Sequence, residues 1–221
     1  MAEVLVLVEH SGGSAKKVTF ELLTAARALG EPSAVVLGAP GTADALAGKL
    51  GEFGAAKVYV AESEDIDGYV VAPKAEVLAQ LVGSVQPVAV LVAASSEGKE
   101  IAGRLAVKLE SGLLTDVTSV NADGTAGQTI FAGGVLVTSK VRTGTPILAI
   151  RPNSVNPEPA AGAATLETVE VTVSDAAKGA KVIDRVVEAA NRPPRSAGVK
   201  VTDEGTGGSQ LVEYLAAEKF V

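Results

Sequence analysis

The stretch Pro87–Ala93 (PVAVLVA) is apolar at every position. A strand with one wet face alternates apolar and polar residues. A strand without alternation is buried on both faces, which calls for a parallel sheet covered by helices on each side. The residues that follow supply such a helix. In Glu97–Leu109, Ile101, Ala102, Leu105, Ala106 and Leu109 fall on one stripe, with Glu97, Lys99, Glu100, Arg104 and Lys108 outside it. The same alternation runs through the preceding residues. Glu3–Glu9 (EVLVLVE), Ser33–Gly38 and Lys57–Ala61 read as strands; Ser14–Gly30, Thr42–Phe53 and Pro73–Val82 read as helices. Ser14 is placed to cap its helix, Gly30 to end it, and Pro73 to occupy a first helical position. Repeated β-α-β-α order with right-handed crossovers predicts an α/β fold: a doubly wound, mostly parallel sheet with helices on both faces.

After Gly112 the pattern changes. Asp116–Val120, Thr129–Phe131, Val135–Val141 and Ile147–Arg151 read as strands between Gly, Asn and Asp turns, and are expected to complete the sheet with an antiparallel element. Asn153–Ala164 is rich in Pro, Ala and Gly and reads as an exposed connection. Leu166–Val173 alternates as an edge strand should, and Lys181–Ala189 fits strand or helix. From Asn191 the chain turns polar and rich in Pro and Gly, too poor in apolar residues to build a core. We therefore expect a domain over 1–190 and an arm over 191–221. The arm ends in a short amphipathic helix, Ser209–Phe220, with Leu211, Val212 and Leu215 on one face and Tyr214 at its flank. Such a helix is marginal alone. These four residues are expected to dock on another domain or subunit; packing on the chain's own body is the alternative.

Composition removes several classes of function. The chain has 221 residues, a net charge of −7, 3% aromatics, one His and no Cys. A chain with no basic patch, no interleaved aromatics and so few rings is not expected to bind nucleic acid, and a lone His leaves little for a transition metal. The first residues, MAEVLVLVEH, lack the basic flank and cleavage site of a signal peptide. No apolar run approaches the roughly 20 residues of a membrane helix. A soluble, cytoplasmic protein without membrane insertion is expected.

The loop after Pro87–Ala93 is the best anion-site candidate. It leaves the carboxyl end of a parallel strand and feeds a helix N-terminus, where N–H groups and the dipole suit a phosphate. Ser95, Ser96, Gly98 and Lys99 would hold it. The P-loop spacing fails, because Glu100 follows Lys99, and Glu97 would repel an anion. Plain helix capping is the competing and stronger reading. Ser11-Gly12-Gly13-Ser14 lacks the spacing of a dinucleotide turn, and His10 before it reads as a hydrogen-bonded structural residue rather than a proton shuttle. Glu62, Glu64, Asp65 and Asp67 lack the calcium-loop pattern and read as a solvated loop. No hydrolase elbow, zinc-protease or kinase motif occurs.

Taken as a set, LVLVEH at the start, GKEIAGRLAVKLESGLLTDV at 98–117 and TPILAIRPNS at 145–154 resemble the N-terminal domain of electron transfer flavoprotein alpha subunits, actinobacterial ones above all. The resemblance runs to about Ala190. It implies a fold related to the adenine-nucleotide-hydrolase-like domains, and pairing by pseudo-twofold symmetry with a beta subunit or a homologous domain; self-association is the other mode. The complete heterodimer carries FAD and AMP and moves electrons from acyl-CoA dehydrogenases, in fatty acid β-oxidation, towards the respiratory chain. The glycine-rich stretches of the family's FAD domain have no counterpart here, while RPPRSAGVKVTDEGTGGSQLVEYLAAEKFV at 192–221 resembles the arm of a beta subunit. The resemblance thus implies a chimeric or truncated chain, a scaffold and electron-carrier component rather than an enzyme, with no cofactor expected in it alone. The alternative is a small adenine-nucleotide-binding module like the universal stress proteins. Their G-x-x-G and later G-[ST] fail here, since Gly124-x-x-Gly127 is followed by Val137 where the next glycine belongs.

Overall fold

The computed structural model describes residues 2–170, 172–186 and 205–217. The chain divides into two compact units, 1–183 and 184–221. The arm from Asn191 to residue 204 and the end of Lys181–Ala189 lie outside the described residues.

Among the described residues the first unit holds a nine-stranded sheet. Its strands are β1 (Glu3–Leu7), β4 (Glu31–Gly38), β5 (Lys57–Glu62), β6 (Ala89–Ala93), β7 (Leu113–Val120), β8 (Ala126–Ile130), β9 (Val135–Ser139), β10 (Ile147–Ile150) and β11 (Thr165–Thr168). A two-residue hairpin, β2 (His10–Ser11) with β3 (Ser14–Ala15), stands apart. The order across the sheet is β11-β5-β4-β1-β6-β10-β7-β8-β9. All pairings from β11 to β7 are parallel, and β8 and β9 add antiparallel strands at one edge. β6 and β10 are buried throughout, as unbroken apolar runs require.

Two cores lie on the two faces. Val4, Val6 and Val8 pack with α1 (Lys17–Ala26) and α2 (Thr42–Glu52) through Leu22, Leu23, Leu46 and Leu50. Leu5 and Leu7 pack on the other face with α4 (Val71–Val85) and α5 (Ser96–Lys108) through Leu78, Leu81, Ile101 and Leu105. A short α3 (Glu64–Asp67) precedes α4. The chain turns outward from β1 to β4 and β5 on one side, then returns to β6 and β10 on the other, so β1 and β6 flank the switch in direction.

Four expectations need correction. Ser14 caps no helix: it pairs with Ser11 in the small hairpin, and α1 starts at Lys17, preceded by Lys16 without a side-chain cap. Gly30 is not a left-handed helix end, since α1 stops at Ala26; a Cβ at Gly30 would lie 2.1 Å from the Ala2 carbonyl oxygen, so close backbone approach demands glycine. Pro73 lies inside the first turn of a helix that begins two residues earlier at Val71, where a missing N–H still costs nothing. Asn153–Ala164 is a fastened strap rather than a free connection: Ala160 and Gly162 donate to the carbonyls of Glu52 and Gly51, and Glu158 donates its N–H to the Thr24 hydroxyl.

In the second unit, α6 (Gly207–Ala217) has no buried residue; Leu211, Val212 and Tyr214 are exposed and Leu215 is half-buried.

Candidate functional site

The loops leaving β1 and β6 diverge at the switch point, the place where open α/β sheets form a crevice. A cavity of about 60 Å³ lies there, bordered by Glu9, His10, Lys16, Lys74, Glu97 and Gly98. Ser95 is the N-cap of α5, its hydroxyl accepting the Gly98 N–H at 3.0 Å. The same hydroxyl donates to the Glu9 carboxylate. Glu9, with 13% of its side chain exposed, turns its second oxygen to Lys16 at 3.3 Å. Gly98 is where α5 meets its own strand: a Cβ would sit 2.1 Å from the Ala93 carbonyl oxygen.

The four sequence-derived anion residues therefore divide. Ser95 and Gly98 meet in the cap. Ser96 opens the helix and is exposed. Lys99 turns away to Asp116, with Nζ 2.9 Å from Oδ1. Glu97 pairs with Lys74 across the crevice mouth. His10 places Nε2 3.0 Å from the Leu37 carbonyl, which makes that nitrogen the donor.

The acidic cluster splits in the same way. Glu62, at the end of β5, accepts the N–H groups of Gly41 at 2.7 Å and Ala43 at 2.6 Å and so caps α2. Ser63 caps α3 through the Ile66 N–H, and Asp65 pairs with Lys178 at 2.6 Å. That ion pair, foremost its hydrogen bond, raises the Lys178 pKa. Among the described residues no group of carboxylates and His could hold a metal ion, and no helix is long and apolar enough to cross a membrane.

Sequence reasoning missed one surface. No charged residue occurs between Asp123 and Lys140, and this stretch is the β8–β9 hairpin. β9 is the outermost strand, with β8 on one side and no described strand on the other. Phe131 is 81% and Leu136 79% exposed, with Ile130 and Val135 beside them in the chain. Phe131 and Ala132 hold positive φ values of 51° and 53° at the tip. Edge strands of this kind are ordinarily guarded by charge or proline. The gap in charge was the available signal.

A sequence-family model described as the electron transfer flavoprotein domain matches residues 4–176. The electron transfer flavoprotein subunit alpha of Mycobacterium tuberculosis (strain H37Rv) is 53% identical over 171 residues, which cover 77% of this chain and 54% of that protein. This chain thus spans about half the length of that relative. The subunit alpha of Mycobacterium leprae is 45% identical over 221 residues, covering 99% of this chain and 69% of that protein. That of Syntrophomonas wolfei is 34% identical over 227 residues, covering 98% and 70%. The last two alignments run into the C-terminal stretch within an alpha subunit, so the beta-like reading of residues 192–221 gains no support from them. By the family match and by these identities, the chain belongs to the electron transfer flavoprotein alpha-subunit family.

Proposed function

We propose that this chain is the pairing and scaffold part of an electron transfer flavoprotein, the electron carrier between acyl-CoA dehydrogenases and the respiratory chain. The observation that carries the reading is the β8–β9 hairpin: an uncharged edge with no described strand on its outer side and with Phe131 and Leu136 exposed. An apolar edge of this sort suits another polypeptide rather than a small molecule. The family suggests a beta subunit as that polypeptide, and α6, through Leu211, Val212, Tyr214 and Leu215, is proposed as a second contact.

FAD would supply the redox chemistry in such a carrier. The switch-point crevice does not fit it. The cavity of about 60 Å³ is far below the roughly 300–1,000 Å³ of ligand pockets, and the nearby helix start is already capped. The same closure counts against a free-standing adenine-nucleotide module.

Mixing the purified chain with a family beta subunit should give co-elution on gel filtration. Phe131→Asp and Leu136→Asp should abolish it while leaving the melting curve intact. Separate elution of the unmodified chain, or co-elution of both variants, would sink the pairing role. Electron transfer by this polypeptide alone with added FAD would refute the scaffold reading.

A further inference from the structure

We propose that a second copy of this chain covers the β9 edge: two β9 strands pair antiparallel across a two-fold axis and join two sheets into one. The inference shares its surface with the pairing role but does not rest on it, since it concerns the chain by itself.

An edge strand presents a row of N–H and C=O groups that another strand can meet, and charge, proline or a bulge ordinarily guards it. The two ends of this sheet differ in that respect. At one end β11 carries Glu167, which pairs with Lys57 at 3.7 Å. At the other end β9 reads Val-Leu-Val-Thr-Ser, with no charge and no proline. Its five residues pair with β8 in unbroken register, so no bulge turns the strand away, and no described strand lies on its outer side.

The charge distribution selects a second copy as the occupant. The chain carries a net charge of −7, so two copies repel one another across most of their surfaces. From Gly124 to Ser139 no residue is charged. Overlaying β9 on its own copy therefore sets no like charges against each other in the seam. A two-fold axis normal to the sheet runs the two strands antiparallel, and the donors and acceptors of one copy then match the same row on the other. Leu136, 79% exposed, gains a cross-strand neighbour, and Phe131, 81% exposed at the hairpin tip, adds apolar surface at the end of the seam.

The test is the light-scattering mass of the full chain over a concentration series, with no partner added. The unmodified chain should rise from one chain mass to two. Leu136→Lys should weaken self-association at least about tenfold. Val107→Lys, at an equally exposed site on α5, should associate as before. Should Leu136→Lys fail to fold, Thr138→Lys on the same strand takes its place. The chain has no Cys, so single cysteines can be set at Val135, Leu136, Val137 and Thr138 in turn. A two-fold axis places one residue opposite itself at a separation that a disulfide spans, so one of the four should cross-link two copies under mild oxidation. A cysteine at Val107 should not. A single chain mass at every concentration would overturn the proposal, as would a dimer that survives the lysine on β9 or one that no β9 cysteine cross-links. Co-elution with a beta subunit bears on the pairing role alone, so the two readings fail separately.

Discussion

The carboxylate of Glu21, inside α1, accepts the main-chain N–H of Asn153 at 2.7 Å across more than half the chain. Glu21 is 1% exposed and pairs with Lys17 at 3.3 Å. Asn153 itself sits at φ 64°, so its backbone is held in a conformation that needs support. Glu21→Ala leaves a donor at the start of the strap without its partner. It should cost about 1–3 kcal/mol, read as a lower urea midpoint. Glu21→Gln keeps an acceptor and should cost less. Equal loss from the two would show that packing volume, not the hydrogen bond, fastens the strap.

Ile101 is 2% exposed between α5 and the sheet, while Val107 on the same helix is 79% exposed. Ile101→Ala should destabilise by roughly 2–5 kcal/mol. Val107→Ala should stay within about 0.5 kcal/mol, the ordinary surface value. Similar values for both in equilibrium unfolding would overturn the assignment of the inner face.

This contrast shows why so much of the fold was legible. Ile101 and Leu105 stand on a stripe that only one orientation of α5 can bury, and Pro87–Ala93 has no polar face to expose. Periodicity carries that information locally. The misreadings fell where a distant backbone decides. Nothing near Gly30 in the sequence announces the Ala2 carbonyl, and nothing in Asn153–Ala164 announces the N–H demands met by Glu21 and Glu52. The sequence pattern places the start of this strand at Asp116; β7 starts at Leu113 and passes through Asp116 at φ 53°, where the register shifts against β10. The candidate loop was legible as a cap position, because Ser95 and Gly98 have the right spacing. Its closure by Glu9 was not, since that contact joins residues from the ends of two strands.

The terminal helix provides a separable test. α6 buries no residue, so its apolar side chains must find cover to hold the helix. Leu215→Asp places a charge on that face and should weaken partner binding on gel filtration while leaving the melting of the body unchanged. If deleting residues 191–221 instead lowers the body's stability by more than about 0.5 kcal/mol, the helix belongs to the body's own packing and not to a partner contact.

At the amino edge of the sheet, Tyr59 donates its hydroxyl to Glu3 at 2.9 Å, Ser33 donates to the same carboxylate at 2.5 Å, and Lys57 lies 3.4 Å from the Tyr59 oxygen. Burial, with help from the bond to Glu3, raises the Tyr59 pKa. The bond to Tyr59, with the charge of Glu3 behind it, raises that of Lys57. For both groups the folded chain favours the protonated form. The unfolded chain gives up these protons near their ordinary values of about 10 and 10.4. The stabilisation is therefore full below about pH 10 and is lost as pH climbs from there through the folded values. Urea midpoints should fall across that alkaline range, and Tyr59→Phe should flatten the fall. The phenolate absorbance step that this substitution removes should have its midpoint above the ordinary tyrosine value. A step at that ordinary value, or an alkaline slope unchanged in Tyr59→Phe, would show that the Glu3 contact does not hold in solution.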